Sequence, residues 1–405
     1  MQSSAIRISV LGFIASCCFS YFILPILVES QNINTDPDRF GQLAASIAQG
    51  NGFVYEKGGP PVLERTPLYA FIVAGLFKVV GGFSLSAVQL LQALFHAASA
   101  FIIYLIGARL YSKRTGVVAQ FLFALNPIVI WYTARIWLET TEVLVLLLIA
   151  FMMIQLLEVP SMKGAFAVGL LIGIGCLTKS TLLLFPFVVL GLLLYRFKSI
   201  AIKQGVVVIA ATFILIVPWT WRNYQVTSSF LPVNTSLGFN LIQGDVIGEH
   251  WPSSDMTTID SWIEGKGRVD SVLSSSGVAW ESIEGDRTLT TFAVGNYLRH
   301  PLHMVHRVIV NLTTFWYLSE SPAKSLLFGL LQVSLLVLSI LSYFKMSVPA
   351  RKSTMPLIII CVYLFFVSGL VVGWGRYSMP LIPFLLLIAS PLLHTILFRR
   401  HETKS

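Results

Sequence analysis

Charged and amide side chains follow the apolar segments of this sequence at the points where those segments end. The clearest case is the stretch 217–245, in which an apolar run ends at Pro218 and is followed at once by two tryptophans, a tyrosine, Arg222 and Asn223. Such rings favour the headgroup level of a bilayer, so by themselves they indicate only a membrane boundary. They do not explain Arg222 and Asn223, nor the Gly/Asn/Ser-rich loop predicted to end at Asp245. The stretch therefore predicts a polar pocket on a membrane surface, where it would meet a lipid headgroup.

Composition places the chain in a membrane. Its 405 residues are 55% hydrophobic and 12% charged, with a mean hydropathy of +0.77, whereas about a quarter of the residues in a soluble domain are charged. The four cysteines lie inside apolar runs, which favours buried thiols over disulfides or metal ligands. The net charge of +9 comes from Lys and Arg concentrated in short loops. That distribution is typical of membrane orientation and gives no indication of nucleic-acid binding.

The apolar runs predict an all-α polytopic membrane protein with about ten transmembrane helices, since each run is near the bilayer-spanning length. The runs are 8–28, 85–108, 115–133, 138–158, 163–179, 181–197, 202–219, 325–345, 355–374 and 377–398. The basic loops fall on one side of the membrane only if 67–82 and 303–318 do not cross it. That side would be cytoplasmic, and both termini would lie there too. Both segments are therefore predicted to lie in the outer interface. In 303–318 polar side chains recur at helical spacing beside apolar ones, as in an interfacial amphipathic helix.

This topology divides the chain into three parts. An N-terminal transmembrane module, 1–219, contains a first outer loop at 29–84, and the C-terminal transmembrane helices occupy 324–405. Between them, 220–323 forms a second outer loop with the interfacial helix. Its part from about 246 to 300 is predicted to be a small cap that leans on the membrane face and shapes the acceptor site, because fewer than about 60 residues rarely bury a sufficient core alone.

Ionisable and polar residues from six separate stretches then meet at the outer boundary. They are Asp36 and Asp38; Glu64 and Arg65; Arg135 and Glu139; Lys179; Arg222, Asn223 and Asp245; Arg376 and Tyr377. Transporters tend to place such residues or broken helices near the membrane midplane, whereas the predicted span interiors here contain few. The pattern favours a surface site that meets a lipid headgroup.

A series of short motifs occurs along the chain in a recognisable order. They are Asp36-Pro-Asp-Arg-Phe40, Gly50-Asn-Gly-Phe53, Glu64-Arg-Thr-Pro-Leu-Tyr69, Asn126-Pro127 with Glu139, Leu-Thr-Lys179, Pro218-Trp-Thr-Trp-Arg-Asn-Tyr224 and Gly375-Arg-Tyr377. In order and spacing this series resembles the C-type polyprenyl-phosphate-sugar-dependent glycosyltransferases (GT-C), particularly the bacterial branch related to protein O-mannosyltransferases and the lipid A aminoarabinose transferase.

The resemblance implies an integral-membrane glycosyltransferase of the bacterial inner membrane. Such an enzyme moves a sugar from a polyprenyl-phosphate donor to an acceptor hydroxyl on the extracytoplasmic face, with inversion. The partners that follow are the lipid-linked donor, a lipid, glycan or protein acceptor, and the surrounding membrane lipids; nucleic acid is not among them. Neither the sugar nor the acceptor can be specified from the residues.

The resemblance also implies roles for particular residues. Asp36 matches the catalytic aspartate, four positions before an aromatic that is usually tyrosine and is Phe40 here, and Asp38 is the alternative base. A lipid phosphate leaves without protonation, so the site needs a base for the acceptor and cations for the departing charge. The residues expected to hold the donor phosphate are Arg65, Lys179, Arg222 and Arg376, and those expected to line the donor or acceptor pocket are Glu139, Asn223 and Tyr377.

The sequence predicts no metal site from spacing alone. His303 and His306 are one helical turn apart, but no Cys or carboxylate stands at a ligand-like offset from them. Some members of the GT-C family use a divalent cation held by paired acidic residues, and the resemblance implies that Asp36 and Glu139 could form such a pair. Other members use none, so the sequence predicts no certain cofactor. Arg376 has no acidic residue near it in the sequence, which predicts an anionic headgroup as its partner.

Two other functions stay open at this point. A transporter or flippase for polyprenyl-linked substrates would need polar residues at the midplane and an internal repeat, and neither is visible. A polymerase-like or non-catalytic assembly protein would keep the outer loops but would need no base in the first one.

Overall fold

The computed structural model describes residues 2–31, 34–251 and 256–402, and these residues are almost entirely helical. Parts of the two predicted outer loops, 32–33 and 252–255, and the C-terminal 403–405 lie outside the described residues. The helices are α1 (Gln2–Cys18), α2 (Leu24–Gln31), α3 (Phe40–Ala48), α4 (Pro67–Val80), α5 (Leu85–Leu110), α6 (Lys113–Ala124), α7 (Pro127–Thr133), α8 (Glu139–Glu158), α9 (Met162–Thr178), α10 (Phe185–Phe197), α11 (Ile202–Thr227), α12 (Leu237–His250), α13 (Thr258–Leu273), α14 (Ile283–Arg299), α15 (Pro301–Thr314), α16 (Pro322–Lys345), α17 (Val348–Gly369) and α18 (Ile382–Glu402).

The all-α polytopic architecture predicted from the apolar runs is confirmed. Within the described ranges, eight helical segments are long and apolar enough to cross a membrane, or nine if α6 and α7 together form one span. The tenth predicted run corresponds to α9, an apolar helix of 17 residues. Because α9 is shorter than the roughly 20 residues of an ordinary span, the count of ten stays a prediction.

The predicted span 115–133 is bent by 55° where α6 meets α7. Pro127 begins α7, and a proline at the first helical position is tolerated because it lacks only a donor that has no helical partner there. The Asn126 side chain caps α7 by accepting from the amides of Ile128 and Val129 at 3.0 and 3.2 Å. The Asn-Pro pair therefore ends one helix and starts the next in a new direction.

Close backbone contact joins α9 to α11. A Cβ added to Gly169 would lie 2.4 Å from the Val208 carbonyl oxygen, and one added to Gly173 would lie 2.9 Å from that of Thr212. Small residues at this four-residue spacing let membrane helices approach closely. The contact fixes the C-terminal ends of the two helices, near which Lys179 and Arg222 are found, relative to each other.

The cap consists of α12 to α15, with its own small core that includes Ile242, Val269 and Leu289. The segment before Asp245 is not the loop predicted from its glycines but the helix α12. Those glycines permit close packing instead, since a Cβ on Gly244 would lie 2.2 Å from the Val371 carbonyl oxygen. Helix α11 also continues beyond the predicted end at 219, to Thr227.

The helix α15 occupies the segment predicted to be an interfacial helix, but its polar face points inward. Arg307 and Asn311 are buried, whereas Leu302, Val305 and Ile309 are exposed. Arg307 pairs with Asp245 inside the cap (Nε–Oδ1 2.7 Å). The outward face is therefore apolar, as suits contact with lipid; the interfacial position of α15 and of the 14-residue helix α4 stays a prediction.

Candidate functional site

Four segments that are far apart in the sequence meet at one end of the helix bundle. They are the loop after α2, the residue pair before α4, the first turn of α8 and the 3₁₀ turn Gly375–Leu381. Each segment begins or ends a helix, so its polar side chains project beyond the apolar packing. The 3₁₀ turn is held against the end of α15 because the Gly375 amide donates to the Leu318 carbonyl at 2.7 Å.

Asp38 lies at the centre of this cluster, between two arginines. Its Oδ2 is 3.2 Å from Nη1 of Arg376, and its Oδ1 is 3.8 Å from Nη1 of Arg65. Burial alone would raise the pKa of Asp38, but the two guanidinium groups hold it below its usual value. Arg376 has no acidic neighbour in the sequence, but folding brings Asp38, 338 residues away in the chain, into contact with it; an anionic headgroup as its partner stays a prediction.

Glu139 completes the surroundings of Arg376. Its Oε1 is 3.9 Å from Nε of that arginine, and it is almost fully buried at the start of α8. The Oε2 atom of Glu139 and Nε of Arg376 are buried without a hydrogen-bond partner. Three rings surround the guanidinium group, those of Trp137, Trp374 and Tyr377, with centroids 5.9, 5.2 and 5.1 Å from its carbon. Buried polar groups without a partner require an explanation, and a functional role is one.

Asp36 is next to this cluster but is not part of its ion pairs. Its Oδ2 accepts from the Gln42 amide at 3.0 Å at the start of α3, while its Oδ1 is buried without a partner. Burial raises the pKa of Asp36 above its usual value, and this outweighs the lowering effect of the Gly41 and Gln42 amides. The two aspartates that the sequence could not distinguish therefore differ in environment.

Lys179 is held by a glutamate that the sequence reasoning missed. Its Nζ is 2.9 Å from Oε2 of Glu142 and 4.6 Å from the centroid of the Tyr377 ring. Glu142 and Glu139 are both buried in the first turn of α8. Two carboxylates one turn apart at the start of an apolar helix were the signal that could have identified Glu142.

Arg65 reaches the cluster from the first outer loop. The Thr66 hydroxyl donates to the Thr178 carbonyl at 2.7 Å, which fixes this segment beside the end of α9. The Phe40 ring lies 5.7 Å from the Arg65 guanidinium carbon. Burial would lower the pKa of Arg65, but the carboxylate of Asp38 raises it above the usual value. Arg65 therefore stays charged.

Arg222 and Asn223 lie apart from the ion pairs. Arg222 donates to the carbonyls of Val62 and Phe53 at 3.3 and 3.5 Å and lies over the Trp219 ring. Of the four cations predicted to hold a phosphate, it alone has no carboxylate partner among the described residues. Asn223 is buried, and its amide donates to the carbonyls of Leu231 and Val233 at 3.1 and 2.9 Å. It thus fixes the chain that follows α11.

The described residues contain no group of three or more His, Cys, Asp or Glu side chains that could hold a metal ion. Near Asp36 and Glu139 the positive charge comes from protein side chains, chiefly Arg65 and Arg376. A divalent cation shared by the two carboxylates stays a prediction.

Comparison with known proteins supports the sequence resemblance. Residues 64–221 match the family model described as dolichyl-phosphate-mannose-protein mannosyltransferase. No curated protein sequence matches the chain significantly.

Two solved structures are similar over nearly the whole chain. The oligosaccharyltransferase AglB from Archaeoglobus fulgidus, in complex with an inhibitory peptide and a dolichol-phosphate, superposes with a TM-score of 0.58 at 12% identity and covers 99% of this chain. ArnT from Cupriavidus metallidurans, bound to undecaprenyl phosphate, gives 0.57 at 13% identity over 96% of this chain. The chain spans 51% of the AglB chain and 59% of the ArnT chain. Both are GT-C glycosyltransferases, and at these identities the likeness concerns the fold.

Proposed function

Because the chain has the GT-C fold, we propose that it is a membrane glycosyltransferase that uses a polyprenyl-phosphate-linked sugar. The sugar passes to an acceptor hydroxyl at the outer face of a bacterial inner membrane. The observation that carries the proposal is the contrast between Asp36, which has no ion pair among the described residues, and Asp38, which lies between the partly buried Arg65 and Arg376. Solved structures of the same fold hold a dolichol-phosphate in one case and undecaprenyl phosphate in the other, which supports a lipid-linked donor.

Asp36 is proposed as the general base. Its Oδ1 has no hydrogen-bond partner, and its raised pKa gives it more affinity for a proton than an ordinary aspartate. Asp38, in contrast, is held as an anion between Arg65 and Arg376, and its lowered pKa makes it a poor base. The geometry therefore favours Asp36 over the alternative base.

Arg65 and Arg376 are proposed to hold the donor phosphate, with Lys179 beside them. A phosphate that arrives here would share or replace the contacts that Asp38 now makes, and arginine can bind two phosphate oxygens at once. Two orphaned polar atoms, Nε of Arg376 and Nε of Arg65, provide donors for it. Tyr377 and Glu139 would border the sugar.

The proposed step moves one proton and exchanges one bond. The acceptor hydroxyl loses its proton to Asp36 while its oxygen bonds to the anomeric carbon. The bond between that carbon and the phosphate oxygen breaks, and the lipid phosphate leaves as an anion stabilised by Arg65 and Arg376. Attack from the side opposite the phosphate would invert the anomeric centre. The cap, over α12 to α15, would border the acceptor.

Purified protein incubated with radiolabelled polyprenyl-phosphate sugars and membrane extract tests the function. Transfer from at least one donor is expected, and Asp36→Asn should lower turnover by about two to four orders of magnitude with donor binding retained. Asp270→Asn is the matched control, because Asp270 is an exposed cap residue that pairs with Lys266 at 2.9 Å. Full turnover in the Asp36→Asn variant would contradict the assignment of the base, and transfer from no donor would contradict the function.

A further inference from the structure

Arg135 is a buried arginine next to the site, and it contacts the segment that carries both aspartates. It stands in the turn between α7 and α8, and only 3% of its side chain is exposed. Two buried glutamines of α5 hold this turn: Gln89 donates to the Ala134 carbonyl at 2.9 Å, and Gln92 donates to the Arg135 carbonyl at 2.7 Å. The arginine therefore projects from a fixed point.

The guanidinium group of Arg135 binds the backbone just before Asp36. Its Nε and Nη2 donate to the carbonyl oxygen of Asn34 at 3.0 and 2.7 Å. Next to this contact, the Ile136 amide donates to the Thr35 carbonyl at 2.8 Å. Three hydrogen bonds thus hold residues 34 and 35 against the turn before α8.

The remaining nitrogen of Arg135 reaches the C-terminal half of the chain. Its Nη1 pairs with Oε1 of Glu320, the residue two positions before α16. The Trp137 ring covers the other face of the guanidinium group, with its centroid 3.9 Å away. Glu320 also pairs with Lys324 at 2.8 Å. The guanidinium group of Arg135 thus joins the loop that carries both aspartates to Glu320.

We propose that Arg135, oriented by Glu320, is a positioning residue that holds Asp36 in its reactive place. This inference rests on the proposed function for its catalytic consequence. The contact with Asn34 fixes the position of the backbone just before the Asp36–Asp38 segment. Among the described residues, no other charged side chain binds residues 34 and 35. A small displacement of a base from its acceptor can lower turnover about a hundredfold without loss of substrate binding.

The test uses the full-length protein with three substitutions. Arg135→Lys keeps the charge but cannot reach Asn34 and Glu320 together, because it lacks the planar fork. Glu320→Gln keeps an acceptor but removes the charge that orients the guanidinium group. Lys324→Gln is the matched control, since Lys324 binds the same Glu320 carboxylate (2.8 Å) but does not touch Asn34.

Hydrogen exchange of the amides in 34–42 provides a readout that does not depend on activity. We expect Arg135→Lys and Glu320→Gln to accelerate exchange there by about ten- to a hundredfold, the effect of losing a charge-assisted bond, with exchange elsewhere unchanged. In the transfer assay both should lower kcat while donor affinity stays within about twofold. Lys324→Gln should resemble the wild type in both measurements.

Several results would overturn the inference. Unchanged exchange in 34–42 for both variants would do so, as would equal effects from Lys324→Gln. A loss of donor affinity that matches the loss of kcat would make Arg135 a phosphate ligand instead. If the wild type transfers no sugar, the proposed function fails, while accelerated exchange would still assign Arg135 the positioning of the loop.

Discussion

The buried pair between Arg307 and Asp245 gives the strongest prediction about the stability of the cap. The arginine is 1% exposed and the aspartate 3%. Arg307 also donates to the carbonyls of Leu370 and Val371 at 3.0 and 2.6 Å, and Asp245 accepts from the Tyr297 hydroxyl at 2.7 Å. These contacts join the cap to the chain that leads from α17 into the 3₁₀ turn of the site.

Replacing Arg307 by Met keeps the unbranched stem of the side chain but removes the guanidinium group, and leaves Asp245 as an unpaired buried charge. Breaking a buried pair on one side costs about 3–5 kcal/mol, which corresponds to roughly two to three and a half orders of magnitude in an opening equilibrium. Arg268→Met is the matched control. Arg268 is another cap arginine with carboxylate partners, Glu249 at 2.7 Å and Glu264 at 3.4 Å, but it is 29% exposed, and such surface pairs contribute about 1 kcal/mol or less.

Hydrogen exchange of the α12 amides in detergent measures the opening of the cap. We expect protection to fall by the stated factor for Arg307→Met and by about tenfold at most for Arg268→Met. The double variant Arg307→Met with Asp245→Asn should recover part of the loss, because no uncompensated charge then remains buried. Equal effects from the two single substitutions would refute the reasoning from burial.

Three further predictions concern the site itself. Asp38→Asn removes an anion that raises the pKa of Asp36, so the acid limb of the kcat/KM profile should move to lower pH; a limb that disappears would instead identify Asp38 as the base. Arg376→Gln should weaken donor binding measured on solubilised protein, whereas Arg222→Gln, remote from the ion pairs, should change it by less than about twofold; the reverse order would place the phosphate at Arg222. Arginines hold the pKa values of Asp38 and Glu320 below their usual 3.8 and 4.5, so their ionisation favours the folded state. The resulting stability should be present above about pH 4.5 and lost as pH falls through the lowered values, which thermal unfolding in acid can measure.

Much of the fold could be predicted because the bilayer leaves the chain few choices. Long apolar segments must form helices to satisfy their backbone groups, and the predicted spans accordingly match helices such as α5, α8 and α16. Arg65 before α4 and Glu139 in the first turn of α8 were identified in the same way, because each is a charged residue close to the start of an apolar segment. The sequence thus shows at which end of a helix a charged residue lies.

Contacts between distant segments could not be predicted. No sequence pattern pairs Asp38 with Arg376 or Arg135 with Glu320, because the members of each pair are more than a hundred positions apart. Only folding brings them together. Helix α12 was read as a loop because Gly244 lowers helix propensity. The glycine is needed because α12 packs closely against the Val371 carbonyl. This contact is made by a distant segment of the same chain and is visible only in the folded structure.

The shared contacts of Asp38 have a consequence for what the unliganded protein attracts. Because its carboxylate already neutralises part of the charge on Arg65 and Arg376, the site attracts small inorganic anions from the surrounding water less strongly than the two arginines alone would. Free phosphate or chloride would have to compete with this internal counter-ion and, unlike a lipid, would gain nothing from the bilayer. A headgroup tethered to a long lipid arrives at high local concentration and adds the partitioning of its chain into the bilayer. Under the proposed function, this internal neutralisation would therefore favour a lipid-borne phosphate over soluble anions before any sugar is recognised.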